Sequence, residues 1–139
     1  MPASALAKKL KLDVAKHAAI INAPEDYIDS LKPLSKELKL STNLKGKYDW
    51  IQLLVKTEAE LKALFPKVLK AMGPECRIWI SFPKGSSGIQ TNLSRDKGWG
   101  SLKGIDLKFI TLVSVNDTWS AFNLQTYKPG EEKQKLPWK

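Results

Sequence analysis

The run Tyr48-Asp49-Trp50-Ile51-Gln52-Leu53-Leu54-Val55 is apolar at nearly every position, as a strand covered on both faces requires. Beyond it, Leu61, Leu64, Phe65, Val68, Leu69 and Met72 recur at helical spacing and predict one buried stripe. Thr57 predicts the N-cap, with Glu60 three residues on as its capping-box partner. Pro66 predicts a kink and Gly73-Pro74 the end of the helix. Arg77-Ile78-Trp79-Ile80-Ser81-Phe82-Pro83 then reads as a second buried strand. A buried strand, a helix and another buried strand form a parallel unit with a crossover, which points to an open α/β sheet.

Toward the N-terminus, Leu6, Leu10 and Val14 recur every four residues behind Ser4, which predicts a short capped helix. Ala18 to Pro24 is an apolar run closed by proline and reads as the first buried strand. Glu25 to Leu34 predicts a short helix stopped by Pro33, and Glu37 to Thr42 alternates as a more exposed strand. Toward the C-terminus, a polar loop from Lys84 to Ser94 leads to a helix expected at 95–103, stopped by Gly104. Leu107 to Val115 and Thr118 to Tyr127 are strand-like runs joined at Asn116-Asp117, and so short a join makes them antiparallel neighbours. Asp117 is expected to shape that turn. The order predicts a three-layer, Rossmann-like α/β domain over residues 1–128, with a mostly parallel sheet and a C-terminal antiparallel hairpin. Ile20, Ile51, Leu53, Ile78 and Ile80 should be buried in it. Residues 129–139, rich in Pro, Gly, Glu and Lys, read as a mobile tail.

A chain of 139 residues fits one domain and hides roughly two thirds of its unfolded surface. No apolar run reaches the roughly 18 to 20 residues of a membrane-spanning helix, and Met1-Pro2-Ala3-Ser4 lacks a signal core, so a cytoplasmic protein is expected. One cysteine, Cys76, excludes an internal disulfide, and with one histidine, His17, it cannot build a zinc site. The net charge of +9 favours anionic partners, including nucleic acid. Yet no strand interleaves aromatic and basic residues as a nucleic-acid surface does.

Tyr48-Asp49 opening a strand, a Leu-rich helix ending in Met72-Gly73-Pro74, the next strand and a terminal hairpin together resemble the second half of a class I S-adenosylmethionine-dependent methyltransferase. More closely, Asn22-Ala23-Pro24, Trp79 to Ser87 and Asp117-Thr118-Trp119-Ser120-Ala121 resemble a family of short bacterial proteins of unknown function. That likeness implies a bacterial source and a shared fold, and it implies no activity. Methyltransferases of this class need a glycine-rich turn after the first strand so that the backbone can approach the cofactor. Here the turn reads Asn22-Ala23-Pro24-Glu25-Asp26-Tyr27. The end of the second strand, Leu40-Ser41-Thr42-Asn43, offers no acid for a ribose, and Val55-Lys56-Thr57-Glu58 lacks the Asn-Pro-Pro-aromatic signature. The expectation is therefore a scaffold that takes no cofactor.

In open α/β sheets, ligands sit outside the carboxyl ends of the strands. Asn22, Pro24 and Tyr27 should follow the first strand there, and Lys56 and Thr57 the third. Lys84-Gly85-Ser86-Ser87-Gly88, with Asn92 and Arg95, should follow the fourth. This last loop combines cations, hydroxyls and glycines just before a helix start, a pattern that suits a small anion or a nucleotide. Three functions remain open: a non-catalytic binding or regulatory module using that loop, an enzyme such as a transferase with an altered cofactor site, and nucleic-acid binding through the basic surface.

Overall fold

The computed structural model describes residues 5–24, 27–32, 38–84, 107–126 and 130. Among the described residues, six strands form one sheet: β1 (His17–Ile21), β2 (Lys39–Ser41), β3 (Tyr48–Leu54), β4 (Met72–Pro83), β5 (Leu107–Ser114) and β6 (Trp119–Thr126). Their spatial order is β2-β1-β3-β4-β6-β5. The β1–β2, β1–β3 and β3–β4 pairs are parallel, whereas β6 runs antiparallel to both β4 and β5. The architecture is thus the expected Rossmann-like one, a mostly parallel sheet ending in an antiparallel hairpin. The five isoleucine and leucine positions expected in the core are all buried.

Strand alternation sends β3 and β4 side chains to two separate cores. On one face, Ile51, Leu53, Ile78 and Ile80 pack under helix α2 (Glu58–Lys70), which buries Leu61, Phe65 and Val68. Each such side chain contributes about 1.5–3 kcal/mol. On the other face, Trp50, Leu54 and Trp79 pack under the N-terminal segment, built from α1 (Ala5–Lys9) and two 3₁₀ turns, Leu12–Val14 and Ile28–Leu31. The Trp50 and Trp79 indole N–H groups both donate to the Leu10 carbonyl, each at 2.8 Å. At the amino edge of the sheet, the Asp49 carboxylate accepts the Lys16 and His17 backbone N–H groups and ties this segment to β3.

Several boundaries differ from the sequence reading. The first helix stops at Lys9 because Lys11 takes a left-handed conformation, so Ala7, Leu10 and Leu12 form its buried set in place of an every-fourth stripe. The segment expected to be helical at 25–34 is only a 3₁₀ turn in its described part. Helix α2 continues past Pro66, Leu69 at its far side is 37% exposed, and Met72 already belongs to β4. Strand β4 begins before Pro74, and Gly73 lies so close to β3 that a Cβ there would meet the Tyr48 carbonyl at 3.0 Å. The final turn is shaped by Asn116 and not by Asp117, since the Asn116 side-chain oxygen accepts the Thr118 and Trp119 N–H groups. The helix expected at 95–103 and the tail expected at 129–139, Gly130 apart, lie outside the described residues.

The β2–β3 connection is unusual. Parallel neighbours are generally joined by a dozen or more residues, most often a helix. Here Thr42 to Lys47 alone run from the carboxyl end of β2 to the amino end of β3, passing β1, which lies between those strands. At roughly 3.3 Å per residue, six residues reach about 20 Å, which leaves a short strap with no room for a helix. It bends at Thr42-Asn43 and again at Gly46, whose φ is 133°. The Tyr48 hydroxyl braces the strap by donating to the Asn43 carbonyl and accepting the Lys45 N–H.

Candidate functional site

The strand order reverses between β1 and β3, since β2 lies outside β1 and β4 outside β3. The crevice at the carboxyl ends of these two strands is where this architecture places ligands. Asn22, Ala23, Pro24, Leu54, Lys56, Glu60 and Trp119 line it. The expectation that Asn22, Pro24 and Lys56 share one edge therefore holds. Lys84 follows β4 at the same edge, where its backbone N–H donates to the Thr118 carbonyl and its ammonium to the Ser114 hydroxyl at 2.6 Å.

The crevice is closed from within. Asn22 takes φ 64°, a left-handed conformation that asparagine tolerates better than most residues. Its amide Nδ2 donates to the Leu54 carbonyl at 2.8 Å and to Glu60 Oε2 at 3.0 Å. Glu60 Oε1 in turn accepts the Lys56 N–H at 2.7 Å, so one carboxylate joins the ends of β1 and β3 to the start of α2. Thr57 caps the helix as expected, its hydroxyl accepting the Glu60 N–H, but the Glu60 carboxylate reaches Lys56 and not the cap residue. The space left measures about 180 Å³, below the roughly 300–1,000 Å³ typical of small-molecule sites.

Tyr27 follows at this edge, its backbone N–H donating to the Pro24 carbonyl, but its side chain does not line the crevice. It is buried beneath the sheet on the N-terminal side, where its hydroxyl donates to Gln52 Oε1 and Gln52 Nε2 donates to the Ser81 hydroxyl. Burial pushes the Tyr27 phenol up to about 12. Cys76 is also a core residue, its thiol pushed up to about 12 chiefly by burial. His17 opens β1 at the amino edge, its ring 4.4 Å from that of Tyr48. Gly85, Ser86, Ser87, Asn92 and Arg95 lie outside the described residues. Among the described residues, no three His, Cys, Asp or Glu side chains converge to hold a metal ion, and no helix is long and apolar enough to cross a membrane.

Ala23, Leu54, Glu60 and Trp119 are the lining residues the sequence reading did not name as site residues. The capping box could have pointed to Glu60, because a helix that follows β3 must begin at the carboxyl edge.

No protein-family model matches the chain, and no curated protein matches it. Among solved structures it is similar to N-methyltransferase NodS from Bradyrhizobium japonicum in complex with S-adenosyl-L-homocysteine, with TM-score 0.58 and 9% identity over 88% of this chain and 86% of that one. It is similar to StiE O-MT, with TM-score 0.57 and 10% identity over 87% and 71%. The DhpI–SAH complex gives TM-score 0.55 and 9% identity over 87% and 82%. The fold is that of class I methyltransferases.

Proposed function

We propose that this chain is a non-catalytic binding or regulatory module on a methyltransferase-like scaffold, with an anion or nucleotide site at the 84–95 loop. The observation that carries the first part is the Asn22 amide, which bridges the Leu54 carbonyl and Glu60 across the crevice. The second part is supported by Lys84, which lies on the carboxyl edge beside the β5–β6 turn. Among the described residues its ammonium makes one hydrogen bond, to Ser114, and an ammonium has three protons to donate.

Replacing Lys84 and Arg95 by Ala together should abolish the thermal stabilisation given by phosphate compounds, since each charge-assisted contact is worth roughly ten-fold in affinity. An unchanged ligand shift in the double variant, or none in the parent with any nucleotide tried, would remove the loop from consideration. A second reading, an S-adenosylmethionine-dependent transferase with an altered site, is favoured by the fold neighbours solved with S-adenosyl-L-homocysteine. Calorimetry separates the two. Micromolar binding of that cofactor, about 8 kcal/mol, exceeds incidental contact and would establish the second reading over the first.

A further inference from the structure

The short Thr42–Lys47 strap leaves a groove of about 780 Å³ between itself and α2. Its floor is apolar, formed by Ile21, Leu44, Leu64 and Ala71, and its rim carries Lys45, Lys47, Lys67 and Lys70. Leu64, Lys67 and Ala71 recur at three- and four-residue spacing and so share one helix face. The Lys47 ammonium donates to the Lys70 carbonyl at 2.6 Å and fixes the strap to the last turn of α2. Lys45, Lys67 and Lys70 pair with no carboxylate among the described residues, and no acidic residue lines the groove. Both walls are held in place, by the Tyr48 hydroxyl on the strap and by the Phe65 and Val68 core contacts on the helix.

From this juxtaposition we infer that the groove binds a small anion with an apolar body, its hydrocarbon on Ile21, Leu44 and Leu64 and its carboxylate or phosphate among the lysines. The volume lies inside the range of small-molecule sites, in contrast to the crevice at the strand ends. A purely apolar ligand leaves the cations unused, and a free inorganic anion leaves the floor in water, so both features are needed together. The inference does not rest on the reading of the 84–95 loop.

The probes are decanoate, decanol and inorganic phosphate, each titrated below its aggregation limit into the isotope-labelled chain and followed by amide shifts. Decanoate should perturb Ile21, Leu44, Leu64 and Lys67, and bind at least ten-fold more tightly than decanol or phosphate. The double substitution Lys45→Glu and Lys67→Glu should weaken it at least ten-fold. Lys62→Glu, exposed on the same helix but outside the groove, should leave it within two-fold. Equal decanol or phosphate binding, perturbations mapping elsewhere, or an equal loss in Lys62→Glu would overturn the assignment. Mapping on the parent decides the matter even if the double variant does not fold.

Discussion

Two openings flank the same helix, and they differ in what fills them. At the N-terminus of α2, the crevice between β1 and β3 is tied shut by an asparagine amide and a glutamate, leaving about 180 Å³. Along the other side of α2, the groove beside the strap keeps about 780 Å³ under a ring of lysines. The contrast teaches that side chains and loop lengths, more than the order of strands, decide how much space a sheet edge keeps. One side chain after β1 bridges the crevice, and one short connection leaves a wider groove beside α2.

The most severe way to break this comparison is to remove the wall both openings share. Phe65→Ala should cost about 3–5 kcal/mol, because the ring is 2% exposed and packs between α2 and the sheet. Urea unfolding would measure it, and both the groove and the Asn22–Glu60 link should be lost from amide spectra together. A cost under about 1 kcal/mol would mean that α2 is held by something other than its buried stripe.

Alkaline titration sharpens the contrast between the two faces of the sheet. Cys76 lies in the core under α2 and Tyr27 in the core under the N-terminal segment. Both groups are neutral when protonated, and both are raised in the folded chain, from 9.0 and 10.0 respectively to about 12. Above its ordinary value each group ionises more readily unfolded than folded, so the unfolded state then binds fewer protons and stability falls as pH rises. The loss should begin near pH 9 through Cys76, add Tyr27 from about pH 10, and level off near 12. Together they should remove roughly 2–6 kcal/mol. Denaturant midpoints across that range would check it, and Cys76→Ala should delay the onset by about one pH unit. Stability flat up to pH 11 would show that neither group is kept from ionising.

The smallest expected effect is on the strap alone. Tyr48→Phe removes the hydroxyl that bonds Asn43 and Lys45, and should cost about 1–2 kcal/mol in a thermal or urea measurement. Its amide shifts should centre on residues 42–47 and leave Asn22 and Lys56 unmoved. Shifts at the carboxyl edge of equal size would mean that the two openings are one coupled unit.

The parallel sheet was legible because β3 and β4 are apolar on both faces, and the hairpin because its strand-like runs are separated by a short polar join, which in the structure spans Val115 to Thr118. The closing role of Asn22 was not, although the residue itself stood out. It depends on register: Ile21 pairs with Leu53, which sets the next residue beside the Leu54 carbonyl. The groove was hidden because its lysines come from two separate segments and read as ordinary surface charge. Its signal was a length, six residues between two strands that both run the same way. Boundaries near Lys11, Pro66 and Met72 went astray where local conformation or tertiary packing outweighed the hydrophobic period.

The shared acceptor at Leu10 has a consequence for the growing chain. Its two indole donors stand 40 and 69 residues further along, so the N-terminal segment leaves the ribosome well before the groups that anchor it exist. At about 5–20 residues per second, the 69-residue gap amounts to roughly 3–14 seconds. Until Trp50 emerges Leu10 has neither donor, and until Trp79 follows the cover over Leu6, Leu10 and Leu12 is incomplete, which leaves them open to whatever chaperone first meets the nascent chain.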